Sequence, residues 1–196
     1  MFYRLATLAA LSFCLCGVMP AAEDSGVWLD VPFVKQEKDG CGAASVAMVM
    51  QYWFNLRNCA DGKQAGKGAC APSESVDAAE IHRALYAPGA RGVYASAMER
   101  YFKQRGFNTF AFRGEWDDLL NHLRKGRPLI VALKPSDAAA PLHYVVVAGL
   151  DLRAELVLLN DPAQRKLLKQ DRADFEKQWN GANKWTLLAL PQPDAK

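Results

Sequence analysis

The chain has 196 residues, enough for one well-packed domain but short for two full ones. Hydrophobic residues make up 51% and charged residues 23% of the sequence, which is a globular composition without the signature of disorder. The net charge of +3 is small, and the basic residues form no run along the chain. The sequence therefore does not predict nucleic acid as a partner.

The first 22 residues predict a secretory signal peptide. Arg4 precedes an apolar run from Leu5 to Met19, and the small residues Ala21 and Ala22 follow it. The run is shorter than the roughly 20 residues that a membrane-spanning helix needs. We therefore expect no stable membrane insertion once the signal is removed.

Two cysteines in the signal region raise the alternative of a lipoprotein. Cys14 and Cys16 follow Phe13 and Leu15, at positions where a lipid-attachment site favours Gly or Ala. Secretion without lipidation is the better interpretation. We expect residues 23–196 to form a single domain in the periplasm or outside the cell.

After removal of the signal, the chain keeps Cys41, Cys59 and Cys70. In an oxidising compartment two of these three should form a disulfide. Cys59 and Cys70 flank a polar, glycine-rich segment that a short bridge would hold in place. We therefore expect a Cys59–Cys70 disulfide in a loop over residues 55–75, with Cys41 left as a free thiol.

The stretch around Cys41 has the features of a cysteine nucleophile. Gly40 and Gly42 flank the cysteine, Gln36 lies five residues before it, and a mostly apolar helix is predicted from Cys41 to about Phe54. A thiol in the first turn of a helix faces the positive end of the helix dipole, which favours the thiolate form. The alternative is an ordinary buried cysteine at a helix start, and this stretch alone leaves both interpretations open.

The rest of the chain predicts helices first and mainly strands later. The second half of the chain is therefore predicted to be rich in strands. Further helices are predicted from Ser75 or Asp77 to about Tyr86, and over 94–104, 116–125 and 173–179, the last capped by Asp171; strands are predicted over 107–112, 128–133, 142–150, 155–162 and 184–190.

The sequence contains three histidines, and one of them stands in an unusual context. His82 and His122 fall on predicted helices, where a solvent-facing histidine needs no function. His143 opens an otherwise apolar strand, so its imidazole needs a partner or a place at a cleft. The alternative is a histidine satisfied at a strand end.

Asp161 closes the strand that follows the strand of His143. In an antiparallel hairpin, the start of the first strand lies near the end of the second, so Asp161 is expected beside His143. A carboxylate there would orient the imidazole and stabilise its charged form. An ordinary Asp-Pro turn is the alternative. Asn160, one position earlier, is expected to point to the opposite face.

Together these residues supply a thiol, a base, an orienting carboxylate and an amide in the chain order Gln36, Cys41, His143, Asp161. The Gln36 side-chain N–H and the Cys41 backbone N–H would form an oxyanion hole for an acyl intermediate. The combination is more specific than any one of its members.

The chain resembles the papain-like cysteine peptidases of the bacteriocin-processing, or double-glycine, family, and in particular its stand-alone secreted members. The resemblance covers about residues 28–190. It is carried by Val31-Pro32-Phe33 with Gln36, Cys41-Gly42-Ala43-Ala44, Pro128 to Val131, His143 to Val147, Asn160-Asp161-Pro162, and Phe175 to Gly181.

The resemblance implies a papain-like α+β fold and a cysteine-type peptidase that cleaves a peptide or protein substrate, with a small residue such as Gly before the bond. It implies Cys41 as nucleophile, His143 as base, Asp161 as the orienting group and Gln36 as oxyanion donor. No cofactor is implied, and a monomer is expected.

The chain departs from the transporter-fused members, which carry Asp directly before the cysteine, where this sequence has Gly40. Two alternative functions stay open at this stage. One is a catalytically silent relative that binds peptides. The other is a cell-wall amidase or endopeptidase of the same clan, although those enzymes usually show Asp-Cys-Ser-Gly. Metal binding is disfavoured, because the sequence has neither Cys-x-x-Cys nor His-x-x-x-His spacing.

Overall fold

The computed structural model describes residues 25–60, 64–65, 69–70, 76–137 and 139–193. The predicted signal peptide, residues 1–22, lies outside them and stays a prediction. The helices of the described residues are α1 (Cys41–Ala60), α2 (Ala78–Leu85), α3 (Ala95–Gln104), α4 (Trp116–Arg124) and α5 (Arg172–Gly181). The strands are β1 (Val27–Trp28), β2 (Gln64–Ala65), β3 (Ala69–Cys70), β4 (Tyr86–Ala87), β5 (Gly92–Val93), β6 (Phe107–Arg113), β7 (Leu129–Leu133), β8 (His143–Asp151), β9 (Leu156–Asn160), β10 (Leu168–Asp171) and β11 (Trp185–Pro191).

One antiparallel sheet organises the fold, in the strand order β10-β9-β8-β7-β11-β6, with β1 pairing with the end of β8. The predicted hairpin is present: β8 and β9 are antiparallel neighbours, with Val146 opposite Asn160. The two pairs β2–β3 and β4–β5 form separate two-stranded ribbons. The predicted α+β class is confirmed.

Both faces of the sheet are buried, because alternate residues of the central strands point to two different cores. Ile130 and Ala132 of β7 pack on the side of α1, while Leu129 and Val131 pack on the side of α4 and α5. All five residues of β7 are buried, as its continuous apolar run predicts. The result is a sheet held between two helical layers. No helix in the described parts of the chain is both long and apolar enough to cross a membrane.

Helix α1 lies in the middle of the fold, as its apolar sequence predicts. Its residues from Gly42 to Met50 are all buried. The predicted end near Phe54 is wrong, and so is the loop predicted to begin at residue 55, because α1 continues to Ala60. Residues 55–60 contain no glycine or proline, so nothing in them stops a helix that is already formed.

The structure decides between the two predicted caps of α2. The Asp77 carboxylate accepts a hydrogen bond from the Ala79 N–H at 2.9 Å, so Asp77 caps α2. Asp171 occupies the N-cap position of α5, as predicted, but its side chain makes no capping hydrogen bond. Asp171 is also the last residue of β10, opposite Leu156.

The predicted disulfide can be followed only in part. Cys41 is a free cysteine, whereas Cys59 is disulfide-bonded. The side chain of Cys70 lies outside the described residues, so the Cys59–Cys70 pairing stays a prediction.

Asn160 is a buried polar anchor, and its replacement should cost stability. The side chain is 0% exposed; its Nδ2 donates to the Val31 carbonyl at 3.0 Å, and its Oδ1 accepts from the Leu167 N–H at 3.0 Å. Asn160→Ala would leave both backbone groups buried without partners. We expect the free energy of unfolding, measured in urea, to fall by about 2–4 kcal/mol.

The exposed Asn108 supplies the control, since within the described residues its side-chain carbonyl accepts only from the Gln192 side chain, at 3.4 Å. Asn108→Ala should change the unfolding free energy by no more than about 0.5 kcal/mol. Equal losses in the two variants would show that the buried hydrogen bonds of Asn160 do not stabilise the fold.

Candidate active site

Cys41 is the first residue of α1, and its side chain is half-buried at the surface of the sheet. Gly40 begins the helix: its carbonyl accepts from the Ala44 N–H at 2.9 Å, and its own N–H donates to the Glu37 carbonyl at 3.0 Å. Asp39 completes this turn in the left-handed region at φ 55°. The backbone N–H of Cys41 lies in the first turn, where helical N–H groups have no partner within the helix.

Gln36 is held near Cys41 by a contact to the other half of the fold. Its backbone N–H donates to the Pro162 carbonyl at 2.9 Å, which brings the segment before α1 against the turn after β9. Its side chain lines the same cavity as Cys41. Within the described residues, neither end of the Gln36 amide has a hydrogen-bond partner, and Oε1 is buried. The Gln36 amide is therefore available to form hydrogen bonds with a molecule that enters the cavity.

His143 and Asp161 lie side by side, as the hairpin predicts. The imidazole Nε2 is 2.8 Å from Asp161 Oδ1, and the side chains are 24% and 6% exposed. Asn160 points the other way, as predicted, and binds Val31 and Leu167 instead. Since Nε2 is engaged by the carboxylate, Nδ1 is the ring nitrogen left to act on Cys41, which lines the same cavity.

The Asp161 carboxylate is fixed by two further donors. The Ala163 N–H donates to Oδ1 at 2.9 Å, and Gln164 Nε2 donates to Oδ2 at 2.7 Å. Burial raises the pKa of Asp161, but the hydrogen bond and charge of His143 and these two donors outweigh it, so the pKa lies below its ordinary value. Asp161 is therefore an anion that accepts from the imidazole.

The His143 imidazole is poised as a cation. Burial lowers its pKa, but the hydrogen bonds to Asp161 and Cys41 and the negative charges of both outweigh it and raise the pKa from 6.5 to about 9. At neutral pH the ring is therefore protonated on both nitrogens. A histidine cation that contacts a thiol stabilises the thiolate, the reactive form of cysteine.

A cavity of about 410 Å³ opens directly onto Cys41 and His143. Residues 90–94 line one wall, and the segment from Ala140 to Tyr144 lines the other. Arg91 joins these walls, because its guanidinium donates to the Ala139 carbonyl at 3.1 Å. Cys41 and His143 therefore share this cavity with two chain segments that the Arg91 contact connects.

The other two histidines stay outside this arrangement. His82 and His122 are half-buried, each with one ring nitrogen that is buried and finds no partner among the described residues. Both histidines are therefore partly buried on their helices rather than fully exposed. His82 lines a second cavity of about 330 Å³ that Gln36 also borders, and His122 packs near Phe112. Neither of these histidines lines the cavity at Cys41.

Sequence reasoning missed Tyr144, whose side chain also lines the cavity at Cys41. The residue was hidden in an apolar strand, where an aromatic ring is expected as core. The only signal was its place next to His143 in the chain. The described residues contain no group of three or more His, Cys, Asp or Glu side chains that would suit a metal ion.

Several solved structures share this fold. The peptidase domain of Streptococcus ComA, a bifunctional ABC transporter involved in quorum sensing, matches with a TM-score of 0.59 at 18% identity, over 83% of this chain and 99% of that one. A C39-like protein from Bacillus anthracis matches with a TM-score of 0.60 at 18% identity, over 87% of this chain and 100% of that one. A double-glycine-motif protease of an AMS/PCAT transporter, solved with a leader peptide, matches with a TM-score of 0.56 at 20% identity, over 85% of this chain and 95% of that one.

At these identities the likeness shows the fold alone, which is the papain-like α+β fold of cysteine peptidases, as expected. No curated protein matches the chain. The family described as Peptidase_C39 like matches residues 28–186, which is most of the sequence. The chain therefore belongs to the Peptidase_C39 like family.

Proposed function

We propose that the protein is a cysteine peptidase that hydrolyses a peptide bond with Cys41 as nucleophile, His143 as base and acid, and Asp161 as the orienting carboxylate. One observation carries the proposal: an imidazole hydrogen-bonds to a buried carboxylate at 2.8 Å and lines the same cavity as a half-buried free thiol. The family match and the fold of the neighbours support a peptidase.

The chemistry follows from the charges. The Cys41 thiolate attacks the carbon of the scissile carbonyl, and the electron pair of the C=O bond moves onto oxygen. His143 then gives its Nδ1 proton to the departing amine nitrogen, which leaves an acyl-enzyme thioester. Neutral His143 next takes a proton from water, whose oxygen attacks the thioester and releases the acid and the Cys41 thiolate, so that the starting ion pair is restored.

The oxyanion of both steps needs donors that are in place before the reaction. The backbone N–H of Cys41 at the start of α1 and the side-chain N–H of Gln36 are the two candidates. The hydrogen bond between Gln36 and Pro162 keeps the amide close to Cys41 without using its side chain.

The substrate we propose is a peptide or protein segment with a small residue such as Gly before the cleaved bond. One structural neighbour was solved with a leader peptide, which supports peptide binding in this fold. We further propose that the protein acts alone and as a monomer, in the periplasm or outside the cell, which agrees with the predicted signal peptide.

The activity test is hydrolysis of internally quenched peptides that carry Gly-Gly or Leu-Leu before the scissile bond, followed by mass spectrometry of the products. We expect cleavage after Gly, and inactivation by iodoacetamide at mildly acidic pH. Rapid alkylation without cleavage of any peptide would contradict the proposal and indicate a silent, peptide-binding relative. Cleavage of purified muropeptides instead of the peptides would indicate a cell-wall amidase.

Gln36→Ala tests the oxyanion hole. We expect kcat to fall about 10²-fold with little change in KM, because the donor binds charge that develops only in the transition state. Lys35→Ala is the control, since this neighbour is exposed on the same segment. A loss confined to KM would show that Gln36 binds the ground state of the substrate.

A further inference from the structure

Tyr144 has a rigidly held ring next to the proposed nucleophile. It follows His143 in β8, and its side chain is 6% exposed. The ring meets that of Trp185 edge to face, with 5.5 Å between centroids. On another side it faces Gly42, where a Cβ would lie only 3.4 Å from Tyr144 Cδ2. These contacts fix where the phenol points.

The Tyr144 hydroxyl makes no hydrogen bond to any residue in the described part of the chain, although the backbone carbonyl of Tyr144 accepts from the Ser45 hydroxyl at 3.2 Å. Burial and the nearby negative charge of Cys41 raise the pKa of Tyr144 to about 12. The phenol therefore stays protonated, as a donor near Cys41, over the whole working range of pH.

The surroundings of the hydroxyl decide what it can bind. Tyr144 lines the cavity together with several apolar residues, among them Val93, Pro141 and Leu142. When a peptide fills the cavity and expels water, an unpaired O–H costs free energy unless the peptide supplies an acceptor. An extended peptide always offers one, which is a main-chain carbonyl.

We propose that the Tyr144 hydroxyl donates a hydrogen bond to a main-chain carbonyl of the bound peptide, so that Tyr144 is a substrate-binding residue. The inference rests on the proposed peptidase function. This hydrogen bond would not depend on the side chain of the substrate residue, because its acceptor is a main-chain carbonyl. Tyr144 would therefore fix the depth and register of the peptide relative to Cys41.

The test compares Tyr144→Phe with the wild-type protein on a quenched Gly-Gly peptide. Phenylalanine keeps the ring contacts with Gly42 and Trp185 and removes only the oxygen. We expect kcat/KM to fall about 10-fold, mainly through KM, because the hydrogen bond is present in the bound substrate as well. Alkylation of Cys41 by iodoacetamide should keep its wild-type rate.

Tyr52→Phe is the matched control. The Tyr52 hydroxyl donates to the Gly126 carbonyl at 2.9 Å, about three turns along α1 from Cys41. Its loss should lower stability and leave kcat/KM unchanged. Each backbone carbonyl of the peptide is then replaced in turn by a methylene group. At the position that pairs with Tyr144, the replacement should cost the wild type about 10-fold more than the variant.

Several outcomes would overturn the inference. Wild-type kinetics in Tyr144→Phe would do so, as would a loss confined to kcat, which would indicate contact with the oxyanion. A tenfold change in alkylation rate would show that the hydroxyl acts on the thiol instead. A wild-type protein that cleaves no peptide would contradict the proposed function itself, which is a separate result.

Discussion

Cys41→Ala is expected to reduce peptide hydrolysis by at least about 10⁴-fold, to the level left by binding and oxyanion stabilisation alone. No other thiol can replace it, since Cys41 is the one free cysteine among the described residues. Initial rates on the Gly-Gly peptide check this result. The fold should survive, because Cys41 is only half-buried and alanine fits in its place.

The stability of Cys41→Ala needs its own measurement. Urea unfolding should give a free energy within about 1 kcal/mol of the wild type. Turnover that persists in this folded variant would remove Cys41 from the mechanism. If Cys41→Ala loses both turnover and fold, Cys41→Ser is measured instead. Serine keeps the size of the side chain but is a much weaker nucleophile, so turnover should still be lost.

Asp161→Asn is expected to lower kcat/KM about 10³-fold and to shift its pH dependence. The wild-type His143 pKa of about 9 lies above its ordinary 6.5, so the protonated ring should persist up to about pH 9 and activity should fall above it. Without the Asp161 charge, this fall should begin at lower pH. The same charge pair should stabilise the fold below about pH 6.5 and lose that effect as the pH rises towards 9.

The control for this variant is Asp151→Asn, at the far end of β8, where the carboxylate accepts from the Ala154 N–H at 3.0 Å and from no other group that the structure describes. It should keep the wild-type pH profile. The measurement is kcat/KM from pH 5 to 10 for the three proteins. An unchanged alkaline limb in Asp161→Asn would show that this carboxylate does not set the charge of His143.

The parts that could be predicted from the sequence have local causes. The apolar run of β7 and the enclosed face of α1 follow from side-chain patterns, and the nearness of His143 and Asp161 follows from a short hairpin connection. The end of α1 could not be predicted, since no residue from 55 to 60 breaks a helix. Strand β10 is short and its pattern is polar, so only its pairing with β9 identifies it.

Site residues could be predicted where the type of side chain is unusual in its sequence context. They could not be predicted where only the position in the fold brings an ordinary residue to the cavity. Cys41 and His143 stand out as a thiol and an imidazole in apolar surroundings. Tyr144 and Arg91 do not, because an aromatic residue in a strand and an arginine in a turn are ordinary. Their places at the cavity arise from strand register and from a hydrogen bond to Ala139, which joins residues far apart in the sequence.

The hydrogen bond from Gln36 to Pro162 links the two halves of the site. The turn after β9 carries Asp161 and is itself closed by the Asp161 N–H, which donates to the Arg165 carbonyl at 3.1 Å. Opening of this turn would release the carboxylate from His143 and the amide from Cys41 in one event. The catalytic arrangement would therefore assemble and open as a single cooperative unit. States in which the Cys41 thiolate is present but the rest of the site is open would be rarely populated.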